Sequence, residues 1–127
     1  MMQHKKTFYL FFLSLLGFSF PGITQSSFQS NWIRHFGNNG YDHLSVIELD
    51  DENSMYLAGF FYDSLEQLSA KGASDIYLRK VDSLGNTVWL LGMGGNADDR
   101  VLDMFFDTYQ QRILLTGYFS DSILFQG

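Results

Sequence analysis

Residues 32–50, WIRHFGNNGYDHLSVIELD, and residues 89–107, WLLGMGGNADDRVLDMFFD, decide how this chain is read, because the second stretch repeats the first at an offset of 57. Trp32 falls on Trp89, Gly37 on Gly94, Asn39 on Asn96, Asp42 on Asp99 and Asp50 on Asp107. One residue inserted in the following turn moves the offset to 58, and Gly59 then falls on Gly117, Asp63 on Asp121 and Ser64 on Ser122. The phrases there are GFFYDS at 59–64 and GYFSDS at 117–122. Eight identities in order, a tryptophan among them, mark an internal repeat.

Inside the unit the local pattern is strand, turn, strand. Leu44 to Asp50 and Val101 to Asp107 are short runs rich in β-branched, leucine and aromatic residues, as are Met55 to Phe61 and Ile113 to Phe119. Asp75 to Asp82 (DIYLRKVD) and Thr87 to Leu91 complete the first unit. Between them, Asp82-Ser83-Leu84-Gly85-Asn86 has the chemistry of a tight hairpin, with Gly85 free to take positive φ. After residue 27 no segment sustains a 3.6-residue period, and the one proline lies before it.

Alternation assigns the strand faces. Ile47 and Leu49 share a face, as do their counterparts Met104 and Phe106; Met55 and Leu57 are matched by Ile113 and Leu115. The opposite faces carry Tyr56, Ala58, Phe60, Leu114, Thr116 and Tyr118, so they are not polar. Sheets covered on both sides have this pattern, and each blade of a propeller lies between two others.

The N-terminus reads differently. A short basic start with Lys5 and Lys6 precedes the apolar run TFYLFFLSLLGFSF (7–20), then Pro21-Gly22 and small or polar residues through Ser27. This order is that of a cleavable signal peptide, assigned to 1–26 with the cut between Gly22 and Ser27; the run is short of the roughly twenty residues that span a bilayer. The expected product is secreted or held at the cell surface, with no transmembrane segment after cleavage. Beyond the two lysines, six basic residues face fourteen acidic ones, a net of about −8 that disfavours nucleic acid. Cysteine is absent, which removes disulfides, thiolate metal sites and a cysteine nucleophile; stability must come from hydrophobic burial, and the full chain, signal segment included, carries thirteen Phe, seven Tyr and two Trp.

The set Trp32, Gly37, Asp42, Asp50, Tyr56, Gly59, Gly72, Asp75, Lys80, Asp82, Gly85, Trp89, restarted by Gly94, Gly95, Asp99, Asp107 and Gly117, resembles the SBBP-type β-propeller repeats of exported bacterial proteins. The resemblance covers residues 31–127. It implies an all-β fold of antiparallel four-stranded propeller-blade repeats. About one and a half blades are expected in 28–127, as unit 1 over about 37–93 and a partial unit 2 over about 94–127, preceded by one strand around Trp32. Such a piece is an incomplete propeller that further blades, in cis or in trans, would complete. Where the family pattern has Gly-Asn after the first strand, this chain has Asp51-Glu52-Asn53-Ser54 and Thr108-Tyr109-Gln110-Gln111, so looser hairpins are expected there.

No catalytic set emerges. Asp50-Asp51-Glu52 and Asp98-Asp99 contain calcium-type ligands, but their spacing is not that of an EF-hand and solvated turn acids are the simpler reading; no cofactor or metal is assigned. Asp42 and Asp99 recur and are read as caps for turn amides. His35 and His43 do not recur, and Gly92-Met93-Gly94-Gly95-Asn96 lacks the helix that a phosphate loop needs. Trp32 and Trp89 recur at one repeat position and are read as interblade packing before sugar platforms. The function expected is a non-enzymatic binding or adhesion scaffold for a protein or glycan; the alternative is the N-terminal part of a glycan-acting propeller enzyme whose site lies in other blades.

Overall fold

The computed structural model describes residues 32–38 and 40–126; the segment 1–26, read from sequence as a signal peptide, lies outside the described residues. The described chain is all-β, with strands β1 (Asp42–Leu49), β2 (Met55–Phe61), β3 (Ser64–Leu65), β4 (Leu68–Ser69), β5 (Asp75–Val81), β6 (Thr87–Gly94), β7 (Arg100–Asp107), β8 (Arg112–Tyr118) and β9 (Leu124–Gln126). Strands β1, β2, β5 and β6 form one antiparallel meander, the four-stranded blade of unit 1, and β7 and β8 form the hairpin of unit 2. β9 pairs antiparallel with the last residues of β6 and ties unit 2 to the outer edge of the blade. No barrel closes among the described strands.

The hairpins at one end of the blade are closed by aspartates. Asp50 Oδ1 accepts the amides of Glu52 (3.0 Å) and Ser54 (2.8 Å), and Asp82 Oδ1 accepts those of Leu84 (2.9 Å) and Asn86 (2.8 Å). In both turns the residue three places after the aspartate takes positive φ, Asn53 at 60° and Gly85 at 84°. The turn of unit 2 is one residue longer; Asp107 Oδ1 accepts the Gln110 amide and Gln111 takes φ 52°. The first turn lacking Gly-Asn is held by two amides on Asp50, and the longer turn of unit 2 by one on Asp107. Asn53 and Gln111 adopt the left-handed conformation instead, a region asparagine tolerates well, and the aspartate carboxylates hold the loop amides.

The two faces of the blade are occupied differently. Tyr56, Ala58, Ile76, Leu78 and Met93 look toward unit 2 and are buried with Val101, Met104 and Phe106 of β7, with Val46, Trp89, Ile113 and Leu115 packed at the margin. The rings of Tyr56 and Phe106 stack with centroids 4.7 Å apart. On the opposite face Phe61, Tyr77 and Leu90 pack under the small β3–β4 hairpin through Leu65 and Leu68. The face of unit 2 that touches unit 1 carries Met104, Phe106, Ile113 and Leu115, the repeat counterparts of Ile47, Leu49, Met55 and Leu57. One blade is thus stacked on the next with the alternation read from sequence, and the architecture is an incomplete propeller.

No strand forms over the described residues 32–38, where one is expected around Trp32. A strand exists only by pairing. The segment instead lies against the first unit: Trp32 Nε1 donates to Ser83 O (3.0 Å), Arg34 Nε donates to Gly85 O (3.1 Å), and the Phe36 ring lies 4.1 Å from the Arg79 guanidinium carbon.

Candidate functional site: an open blade face and a pocket between the inner strands

Two features of this scaffold are open. The first is the blade face pointing away from unit 2. There Leu44, Ile47 and Leu49 of β1 are 45%, 51% and 57% exposed, although their repeat counterparts in β7 include buried Met104 and Phe106. Leu44 and Ile47, together with Met55, Leu57, Tyr77 and Arg79 and rimmed by Trp32, Arg34 and Phe36, line a cleft of about 360 Å³. Arg79 is almost fully buried at its base, donating to Glu66 Oε1 (2.6 Å) and Thr87 Oγ1 (2.8 Å), so its charge is compensated within the blade. Burial in this wall pushes the Tyr77 phenol up to about 12, which keeps it neutral.

The second feature is a pocket of about 490 Å³ at the end of the sheet opposite the Asp-closed hairpins, between the starts of the inner strands β1 and β7. Tyr41, His43, Phe60, Arg100, Leu102 and Tyr118 line it. Tyr41 and His43 lie nearly parallel (11°, centroids 6.5 Å apart), and His43 stacks on Phe60 at 4.7 Å. The Arg100 guanidinium sits 4.6 Å over the Phe60 ring, donates to the Tyr62 hydroxyl (2.9 Å) and pairs with Asp98 (3.1 Å). Tyr118 donates to Asp98 Oδ2 (3.2 Å), and Ser74 donates to Asp98 Oδ1. Those partners, the Ser74 hydroxyl first, hold the Asp98 carboxyl below its usual range, and it stays ionised against Arg100.

The loops framing this end are braced by three equivalent aspartates. Asp42, Asp75 and Asp99 each accept, through Oδ2, the amide of the residue four places earlier: Asn38 (3.2 Å), Lys71 (3.2 Å) and Gly95 (2.7 Å). Asp99 also accepts the Ser120 amide (3.1 Å), whereas Oδ1 of Asp42 and of Asp75 is buried without a hydrogen bond. Burial pushes the Asp75 carboxyl up, and the nearby Asp99 carboxylate adds to this against the Lys71 and Gly72 amides. Gly94 is required beside it: a Cβ there would lie 2.2 Å from the Asp75 carboxyl carbon. The loop before β5 and the loop before β7 run side by side through Ala73 N to Ala97 O and Asp99 N to Ser74 O, both 3.0 Å.

The residues singled out from sequence fall as follows. Asp50, Asp82 and Asp107 hold hairpin turns, and Asp42, Asp75 and Asp99 hold the loops at the other end. Trp89 is half-buried beside Tyr56 (5.9 Å), and Trp32 covers Gly85. Gly59 and Gly117 sit where a Cβ would meet the carbonyl oxygens of His43 and Arg100. His35 and His43 are not brought to one place; His35 lines a different cleft with Asn38 and Asp63. Among the described residues no three His, Cys, Asp or Glu side chains gather to hold a metal ion. Gly92 and Gly94 lie in β6, and the Gly95 amide is taken by Asp99, an internal carboxylate.

Sequence reasoning weighed only His43 of the pocket residues as a site candidate, paired with His35, and did not bring the others together. Their signal lies in the repeat itself: Tyr41 matches Asp98, His43 matches Arg100 and Phe60 matches Tyr118, so each differs between copies while Asp42/Asp99, Gly59/Gly117 and Asp63/Asp121 between them do not.

No known protein family matches the chain. A WD repeat-containing protein of Acanthamoeba polyphaga mimivirus, itself uncharacterized, is 24% identical over 113 residues, covering 72% of this chain. The chain spans 8% of that protein's length. The likeness is thus to a protein built of repeats.

Proposed function

We propose that this chain is a non-enzymatic, propeller-type binding scaffold of the SBBP kind, exported through its N-terminal signal segment and acting in binding or adhesion at the cell surface. The observation that carries the scaffold reading is the stacking of unit 2 on unit 1 through Tyr56, Ala58, Met104 and Phe106 while the equivalent outer face of unit 1 stays open. Further blades of the same repeat fit that face. Residues 32–38 already lie across its outer part, where the last strand of a preceding blade would run. The likeness to a WD repeat-containing protein supports a role in recognition, since repeats of this architecture present surfaces on a rigid frame. The partner is a protein or a glycan, and further blades come from the same or another polypeptide.

Purified chain is expected to bind the outer surface of the exporting cells saturably and to release no product from their polysaccharides; release of sugar would overturn the scaffold reading. Mass spectrometry of the exported protein should find its N-terminus between Gly22 and Ser27. An intact Met1 would overturn export by cleavage.

A further inference from the structure

We propose that the pocket between the starts of β1 and β7 is a binding site for a neutral saccharide. This deepens the scaffold reading by naming the ligand class of one surface, and it rests on that reading. Three observations point there. The first is the pattern of repetition. Asp42/Asp99, Gly59/Gly117 and Asp63/Asp121 are identical in the two copies, whereas the interleaved pairs Tyr41/Asp98, His43/Arg100 and Phe60/Tyr118 all differ. Of those six residues, five line the pocket and the sixth, Asp98, anchors two of them. The aspartates and glycines that set the frame are kept in both units, while the lining, like most other aligned positions, is each unit's own.

The second observation is the chemistry of the lining. Tyr41, 63% exposed, and the near-parallel His43 offer a ring surface to solvent, and Phe60 behind them is clamped between the imidazole and the Arg100 guanidinium. Aromatic faces of this kind pack against the C–H face of a pyranose, while Ser45, Arg100 and the Tyr118 hydroxyl are placed around the same space to meet its hydroxyls. The third is charge. Arg100 is neutralised by Asp98 at 3.1 Å, and the chain as a whole is strongly acidic. Those fields disfavour polyanionic sugars. The open, shallow shape with Tyr41, His43 and Tyr118 exposed disfavours a lipid tail, which needs enclosure.

The experiment is ligand-observed NMR and calorimetry on the exported chain with four hexasaccharides: of glucose, of mannose, of N-acetylglucosamine and, as the charged control, of galacturonic acid. At least one neutral hexasaccharide should bind, with the uronate at least tenfold weaker. Tyr41→Ala and His43→Ala, both at exposed positions, should each weaken that binding about tenfold while leaving the circular-dichroism melt unchanged. Arg100→Lys keeps the charge but loses the planar fork, and should weaken binding less. Absence of binding by every neutral sugar to folded protein overturns the proposal, as does binding that Tyr41→Ala leaves untouched or that favours the uronate. If those results come while the chain still binds cells saturably without turnover, the saccharide site falls and the scaffold reading stands.

Discussion

β2 and β8 occupy the same position in successive repeats, share glycines at 59 and 117, and yet live in different surroundings. β2 is buried at six of its seven residues and pinned between β1 and β5; among the described strands β8 pairs with β7 alone, and none of its residues is fully buried. The residues differ little in kind, so the contrast comes from neighbours rather than from propensity. β2 has a strand on each edge and packed side chains on both faces, whereas β8 has one strand and one covered face. In a repeat architecture stability is a property of contacts between units, and a unit with one neighbour has part of it.

The sharpest way to break that comparison is to add a side chain to each glycine. A Cβ at Gly59 would lie 1.8 Å from His43 O and 2.8 Å from Tyr77 Cε1, in a strand with no direction in which to move. Gly59→Val is expected to cost about 3 kcal/mol or more, at the top of the range for overpacking. At Gly117 a Cβ would lie 2.2 Å from Arg100 O, but β8 has a free edge among the described strands and can shift outward. Gly117→Val should therefore lower the urea midpoint clearly less. Equal losses would show that both strands are equally confined.

A second pair compares the same position in the two units. Phe106 is 6% exposed and stacked on Tyr56; its counterpart Leu49 is 57% exposed. Phe106→Ala should cost roughly 3 kcal/mol, the usual loss for a buried ring. Leu49→Ala should stay within about 0.5 kcal/mol, as for an exposed site. Denaturant titration of both variants checks it, and a large loss at Leu49 would show that its face is covered in solution.

The strands and turns were legible because each has a local cause. Period-two runs place β1, β2, β5, β6, β7 and β8, and the aspartates with Gly85 mark hairpins whose geometry needs only neighbouring residues. Repetition of those signals pointed to repeated β units, and the family resemblance implied the incomplete propeller. What stayed out of reach depends on distant partners. Ser64–Leu65 and Leu68–Ser69 are too short to show alternation and exist because Leu65 and Leu68 cap the Phe61–Tyr77 cluster. β9 is a strand only because β6 offers an edge. Residues 32–38, with Trp32 as their signal, lie against the first unit as irregular backbone. The pocket joins residues 41 and 118, which no window of sequence brings together.

Two aspartates, Asp50 and the buried Asp75, sharpen the comparison of the two ends of the blade by pH. At the hairpin end, burial works to raise the Asp50 carboxyl, but the Ser54 and Glu52 amides and the Lys80 ammonium (3.1 Å) outweigh it and hold the value below normal. A folded pKa below the unfolded one contributes stability above the ordinary carboxylate range, and that contribution is lost as pH falls through the folded value. Asp50→Ala should thus cost about 1–2 kcal/mol at neutral pH and progressively less in acid. At the loop end Asp75 has the opposite sign. Its raised value contributes stability only below the ordinary carboxylate range, and this is lost as pH rises through the folded value. Asp75→Asn should remove that loss and flatten the stability profile between mild acid and neutrality. Urea midpoints across this range test both, and parallel profiles for the two variants would refute the difference.

The smallest effect on stability carries the largest information about assembly. Ile47 on the open face of unit 1 is 51% exposed, and Phe105 and Leu114 on the outward face of unit 2 are 60% and 43% exposed. These are equivalents of the two surfaces already pressed together inside the molecule, left without covers at either end. Contiguous apolar sheet faces of this kind drive association, and the unpaired edge of β8 adds to it because its charges, Arg112 and Asp121, lie at or beyond its ends. The chain is therefore expected to sediment as associated species at tens of micromolar. Ile47→Lys sits on an exposed position and should change the denaturation free energy by no more than about 0.5 kcal/mol. It should nevertheless shift the sedimentation profile toward monomer, since a charge on that face cannot be buried against a second sheet without a partner. If the unaltered chain runs as a cooperatively melting monomer, the open faces are self-sufficient. The difference between β2 and β8 would then belong to a complete small β-domain rather than to a propeller awaiting its neighbours.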